Sequence, residues 1–332
     1  MDILAVLGDA LRSSIGPQAA AFALVTMGLN LQFGYAGLLN FGQVGFMLIG
    51  GYGVALSVTN FGLPLWVGVL VGLAGAIVLG LLLGIPTLRL RGDYLAIATL
   101  GAAEILRLTF RSAGAEPLTN GVLGVQQYAR GFYAANPFGS GELSLLGLSM
   151  TGTQVWIALV GWLLVGVFFV VTFVLIRSPW GRILRAIRDD EEATRALGKN
   201  VYSYKMQALV FGGCLAALGG MVLTVSSQSI TPDAFSSELS FFAFAALLLG
   251  GRGTLGGPIL GAMLFWFLAS GADSLLRQAV SAGGLDGVFA GGLNSGAVRF
   301  ILVGLALVLF MLFRANGILG AKQRRAVGSE QV

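Results

Sequence analysis

The sequence predicts an all-α fold, a polytopic bundle of about eight to ten transmembrane helices with broken or re-entrant segments. Three observations lead there. The chain is 56% hydrophobic and only 11% charged, with a mean hydropathy of +0.85, whereas soluble domains carry about a quarter of charged residues. No Asp, Glu, Lys or Arg occurs among the 76 residues from Ser13 to Leu88, several times the roughly 20 that one membrane-spanning helix needs. The 51 glycines are about twice the usual share, and small residues let transmembrane helices approach closely.

The elements follow in chain order. Asp2 and Asp9 precede Arg12, the wrong charge order for a secretory signal, so residues 1–14 read as a short interfacial helix. Apolar runs then place spans at 16–33, 35–58, 63–86, 94–110, 154–176, 206–227, 239–250, 255–272 and 297–313. The run at 239–250 is short enough for a re-entrant or half-spanning helix. Gly72, Gly75 and Gly80 suit close helix packing. The stretch from Gly28 to Gly53 mixes eight glycines with Asn30, Gln32, Asn40 and Gln43, which predicts a broken helix lining a polar cavity. Asn30, Asn40, Gln43 and Tyr52 are therefore the candidate substrate-pathway residues, offering hydrogen bonds without fixed charge to a small polar solute. Glu104 and Arg107, three residues apart on one helix face, are expected to form an intramembrane ion pair near the outer end of their span.

Lysine and arginine set the orientation. With the loop 177–205 on the cytoplasmic side, 14 of the 20 basic residues fall inside, as the positive-inside rule requires. The chain then reads as one transmembrane domain over 1–332, with an extracytoplasmic loop at 111–153 and a cytoplasmic tail at 314–332. Pro117, Asn120, Asn136 and Pro137 predict irregular structure or a small helix in the outer loop.

Absent residues narrow the function. There is no histidine and one cysteine, Cys214, which removes histidine catalysis, thiolate metal sites and an intrachain disulfide. Gly198-Lys199 is followed by Asn200 and lacks the earlier glycine of a phosphate loop. The chain is thus expected to be no enzyme, to bind no metal or cofactor, and to depend on another chain for any ATP and Mg chemistry. Its basic residues sit at span ends, which argues for membrane lipid and against nucleic acid as the surrounding partner. The glycine-rich segment Gly250 to Gly257 reads as a tight cytoplasmic turn.

The loop 177–205 holds 11 of the 35 charged residues in 29 positions. Ser178-Pro179 offers an N-cap followed by proline, and Ile183, Leu184 and Ile187 make an apolar stripe among Arg182, Arg185 and Arg188. Asp189 through Glu192 forms a D-x-x-E capping pattern. Ala193, Ala196 and Leu197 then supply an apolar face, and Gly198 a stop. Two short capped helices suit a docking surface.

At these residues the sequence resembles a known family. Glu192-Ala193-Thr194-Arg195-Ala196-Leu197-Gly198 is similar to the E-A-A-x-x-x-G coupling loop of bacterial ABC-importer permeases. Pro179-Trp180-Gly181-Arg182, Gly34-Tyr35-Ala36-Gly37, Arg91-Gly92-Asp93-Tyr94 and Gly250-Gly251 through Pro258 resemble the branched-chain amino-acid ABC transporter permeases, specifically the LivM-type inner-membrane subunit. The resemblance implies a type II ABC-importer-like permease of the bacterial cytoplasmic membrane working by alternating access. It also implies a second permease subunit, two ATPase subunits and an extracytoplasmic solute-binding protein. ATPase coupling would then rest on Arg182, Arg185, Arg188, Asp189, Glu192, Ala193 and Gly198. Gln43 and Leu118 to Gly121 depart from the family pattern, which leaves urea or short amides as the alternative to branched-chain amino acids. An ion channel, the more remote alternative, would leave the paired helices unexplained.

Overall fold

The computed structural model describes residues 3–90, 92–139, 141–145, 148–281, 304–305 and 317–320. The expected span at 297–313 and the tail at 314–332 lie largely outside the described residues. Helix α1 (Ile3–Ile15) leads into α2 (Pro17–Leu29), which continues as a π-helix over Asn30–Tyr35. After an irregular stretch come α3 (Gln43–Thr59), α4 (Leu65–Thr87) and α5 (Gly92–Arg111). The expected span at 35–58 is therefore corrected. Its first third is a break, and the helix starts at Gln43.

The segment 111–153 is more regular than the sequence suggested. It contains α6 (Glu116–Thr119), β1 (Val125–Gln126), α7 (Arg130–Ala134) and an antiparallel hairpin of β2 (Glu142–Leu145) with β3 (Leu148–Thr151). Asn120 adopts φ 60° and ends α6, a left-handed conformation that asparagine tolerates. Burial pushes the Tyr133 phenol above its ordinary pKa, and its Oη donates to Val225 O at 2.7 Å, pinning this segment to the bundle. Helix α8 (Gly152–Arg177) crosses back to α9 (Pro179–Asp189) and α10 (Glu191–Ala196). Helix α11 (Val201–Ser227) then leads to β4 (Ser229–Ile230), which pairs with β1, Val125 opposite Ile230. A 3-10 turn at Pro232–Ala234 precedes α12 (Glu238–Gly250) and α13 (Gly257–Ser281).

Among the described residues five helical segments are long and apolar enough to cross a membrane, one of them only when the 3-10 turn and α12 are taken together as Pro232–Gly250. Helix α12, with 13 residues, is about 20 Å long at 1.5 Å per residue, shorter than the hydrocarbon core. Its last carbonyls are not left bare. Ile318 N donates to Leu249 O and Leu319 N to Gly250 O, each at 3.0 Å.

Helix α11 is the centre of the packing, lying against α2, α3 and α4. Between helices in lipid the gain comes from close contact rather than from exclusion of water, so small residues mark the interfaces. A Cβ on Gly28 would stand 2.3 Å from Gly212 O, and one on Gly53 would stand 2.4 Å from Gly72 Cα. Gly72, Gly75 and Gly80 all face neighbouring helices at such distances. By contrast, α4 and α8 turn Leu70, Leu82, Leu163, Val170 and Val174 outward, the apolar surface that lipid requires. Helix α1 buries Val6 and Ala10, and Ser13 and Asp9 bond to Ser270 and Ser274 of α13.

Candidate functional site

The charged loop folds into two short helices meeting at Asp190. In α9 the residues at i and i+3 spacing, Gly181, Leu184 and Ile187, are buried, while Arg182, Arg185 and Arg188 line the exposed side. Two caps differ from expectation. Ser178 makes no cap bond; its Oγ donates backward to Leu175 O at 2.6 Å, closing α8. The N-cap of α10 is Asp190, whose Oδ1 accepts from Ala193 N at 2.9 Å, whereas Asp189 ends α9 and pairs with Arg188. The sequence pattern was one residue out of register because Asp189 and Asp190 are equally good caps, and only the end of α9 decides between them.

The stop is as expected. Gly198 has φ +77°, Gly198 N donates to Arg195 O at 3.0 Å, and Lys199 N to Thr194 O at 3.4 Å. This double closure is the Schellman arrangement that favours glycine. Glu191, which the sequence did not single out, accepts from Arg195 at 2.9 Å and from Lys205 Nζ, fastening α10 to α11. Within α10 the buried residue is Thr194. Glu192, Ala193, Ala196 and Gly198 are exposed, and Leu197 is 80% exposed. The apolar face predicted for α10 is therefore turned away from this chain.

The arginines of α9 are not equivalent. Among the described residues Arg182 has no side-chain bond, whereas Arg185 donates to Gly181 O at 3.3 Å and Ile176 O at 3.2 Å. Arg188 reaches further. Its Nη1 donates to Gly34 O at 2.8 Å, inside the π-helix, while Nε and Nη2 hold Asp189.

The polar residues of the break are buried, and they use their hydrogen bonds on one another. Asn40 Nδ2 donates to Gln32 Oε1 at 3.0 Å and to Gln43 Oε1 at 3.2 Å. Gln32 Nε2 donates to Leu209 O, and Gln43 Nε2 to Val25 O and Gly212 O. Asn30 bridges to the turn before α13, donating to Thr254 O and accepting from Gly253 N, both at 2.8 Å. Tyr52 is buried as well, with its ring edge-on to Phe110 at 4.9 Å; its hydroxyl has no hydrogen-bond partner among the described residues. Asn40 and Gln43 are thus bonded to each other, Asn30 faces the turn before α13 and Tyr52 packs on Phe110, and all four are buried within this subunit.

Glu104 and Arg107 do pair, Arg107 Nη2 standing 2.6 Å from Glu104 Oε1. They are not alone. Arg107 Nη1 lies 2.7 Å from Asp233 Oδ1, and Arg111 Nε 3.4 Å from Asp233 Oδ2, so two arginines and two carboxylates link α5 to the turn before α12. Sequence spacing could not reveal Asp233, which is brought in by the fold. Among the described residues no cluster of metal-ligating side chains occurs.

The sequence model of the family described as branched-chain amino acid transport system permease component matches residues 13–311. The chain belongs to that permease family. It is 33% identical over 316 residues to the high-affinity branched-chain amino acid transport system permease protein LivM of Salmonella typhimurium, covering 92% of this chain and 69% of that protein. It is 24% identical to the probable branched-chain amino acid transport permease protein LivM of Methanocaldococcus jannaschii, over 91% of each chain. A further relative, matched over less of the chain, is the ribose import permease protein RbsC of Haemophilus influenzae, 28% identical over 78% of this chain and 76% of that protein. The permease is a LivM-type, multi-pass transport subunit of the bacterial cytoplasmic membrane.

Proposed function

We propose that this permease is one of two membrane subunits of an ATP-driven importer of branched-chain amino acids, and that α9 and α10 form its dock for an ATPase subunit. The observation that carries the reading is the α10 surface. A helix capped at both ends, tied to α11 through Glu191 and Lys205, presents Leu197 at 80% exposure beside Ala193 and Ala196. An apolar side chain held out on a charged loop fits a partner's groove, and Arg182 and Arg185 of α9 add a charged rim.

Two ATPases closing on ATP would push this loop, and the push would rock the spans between inward and outward openings around a path shared with the second permease. An extracytoplasmic binding protein delivers the solute. The amino-acid substrate is supported by relatives named for branched-chain amino acids that cover about nine-tenths of this chain. ATP and Mg act on the partner ATPases, and this chain breaks no bond.

The test is purification of the co-expressed complex with and without Leu197→Asp. The variant should retain the second permease and lose ATPase subunits, and the intact complex in proteoliposomes with its receptor should accumulate leucine or valine rather than urea. Full ATPase retention by the variant refutes the dock, and uptake of urea alone refutes the substrate.

A further inference from the structure

We infer that Arg188 is a positioning residue that straps the ATPase-facing helix α9 to the π-helix, and that Asn30 passes this connection to the turn at residues 251–256. The inference rests on the docking reading above and concerns what lies behind the dock. Three segments distant in sequence meet there. Arg188 Nη1 donates to Gly34 O at 2.8 Å. Asn30, one turn earlier in the same π-helix, holds Gly253 N and Thr254 O at 2.8 Å each. The turn in turn abuts the end of α12, where Gly251 N donates to Leu247 O.

The glycines of this region make the strap possible. A Cβ on Gly34 would stand 2.1 Å from Asn30 Oδ1 and 2.7 Å from Gly253 N. Any side chain at Gly34 would push Asn30 Oδ1 and Gly253 N apart and break the bond between them. Gly37 has φ +71°, and a Cβ there would sit 3.2 Å from Arg188 Cγ, where the arginine stem crosses the break. The π-helix is a weak point in a helix, because its wider turn opens the regular ladder and such bulges recur at functional sites. A rigid donor from a moving helix, fixed to a carbonyl at that weak point, converts a displacement of α9 into a displacement of the break.

Arg188 also pairs with its neighbour Asp189 at 2.9 Å. The structure shows the connection. The coupling it carries is the inference, and coupling requires a double-mutant test rather than proximity.

The whole complex is reconstituted with its binding protein, and uptake and ATP hydrolysis are measured together for Arg188→Met, Asn30→Leu and the double variant. Each single change should leave the ATPase subunits bound, keep hydrolysis, and lower solute moved per ATP by about tenfold, the size of one charge-assisted hydrogen bond. The double variant should fall no further, because both residues act in one strap. Arg188→Lys keeps the charge and the Asp189 partner and should recover part of the ratio, which keeps the test decisive should the methionine variant misfold. Unchanged transport per ATP in Arg188→Met or Arg188→Lys, multiplied losses in the double variant, or release of the ATPases by Arg188→Met overturns the strap. Leu197→Asp tests the dock independently, so failure of the dock and failure of the strap give different results.

Discussion

Removing one carboxylate beside Arg107 should have little effect, and removing both should have a large one. The Arg107 side chain is 16% exposed, with Glu104 at 2.6 Å and Asp233 at 2.7 Å, while these two carboxylates are 39% and 43% exposed. Pairs so open to solvent contribute about 0–1 kcal/mol each. Glu104→Leu therefore leaves Arg107 with Asp233, and Asp233→Leu leaves it with Glu104. The double change leaves a mostly enclosed guanidinium at the outer end of a span with no carboxylate, a state that costs about 3 kcal/mol. The coupling energy in the cycle is then about 2 kcal/mol, far above the few tenths expected of independent sites. Denaturant-induced unfolding of the purified permease complex in detergent measures all four species, and restoring neutrality with Arg107→Met in the double background should recover most of the loss. Additive single effects, with coupling below about 0.5 kcal/mol, would refute the shared-arginine argument. Had only sequence spacing been used, Glu104→Leu alone would have been expected to strand Arg107.

Other consequences are as direct. Asn40→Leu keeps the branched shape but strips donors from Gln32 and Gln43 and the acceptor from Gly42 N, which sits at 2.9 Å; the loss should be about 3–6 kcal/mol, seen as a lowered melting temperature of the complex before any change in solute affinity. Tyr52→Phe removes a buried hydroxyl with no described partner and retains the ring contact with Phe110, so stability should stay level or rise by up to about 1 kcal/mol. A fall in uptake for a stable Tyr52→Phe complex would instead place that hydroxyl on the solute path. Gly198→Pro removes the N–H that closes α10 and cannot adopt φ +77°; ATPase stimulation should drop while receptor binding of solute stays normal, as isothermal titration of the receptor would verify.

Much of this molecule was legible because a membrane leaves few options. Long apolar runs must be helices, and α4, α8 and α11 extend over the expected stretches with ends shifted by a few residues. The charged loop at 177–205 was legible for a different reason: proline at N1, acids at the start of the second helix and glycine after it are local signals. What the sequence concealed depends on contacts between remote segments. Asp233 joins Arg107 across 126 residues, and Glu191 joins Lys205 because α10 folds back on α11. Nor could it show which way a polar side chain faces. Glycine and amide residues between 28 and 53 signalled a break, and the break is there, but the same signal could not separate a wall of a cavity from a filled interior.

That distinction follows from the hydrogen bonds of the break itself. Where α2 gives way to the irregular stretch before α3, backbone amides lose their regular partners in a medium that offers no water. Their replacements are side chains and misregistered carbonyls. Leu38 N donates to Gln32 O at 2.8 Å, Phe41 N to Thr99 Oγ1 at 3.2 Å, Gly42 N to Asn40 Oδ1 at 2.9 Å, and Val44 N to Ser240 Oγ at 3.0 Å. Polar residues are thus required here by the broken backbone alone, before any solute is considered. Two of the substitutes, Thr99 and Ser240, belong to α5 and α12, and Arg107 and Asp233 join α5 to the turn before α12. The break and its π-helix are consequently bonded to α5 and α12 on one side and, on the other, through Arg188 to the charged loop and through Asn30 to the turn before α13. A displacement of either end must move these same few amides or break their bonds.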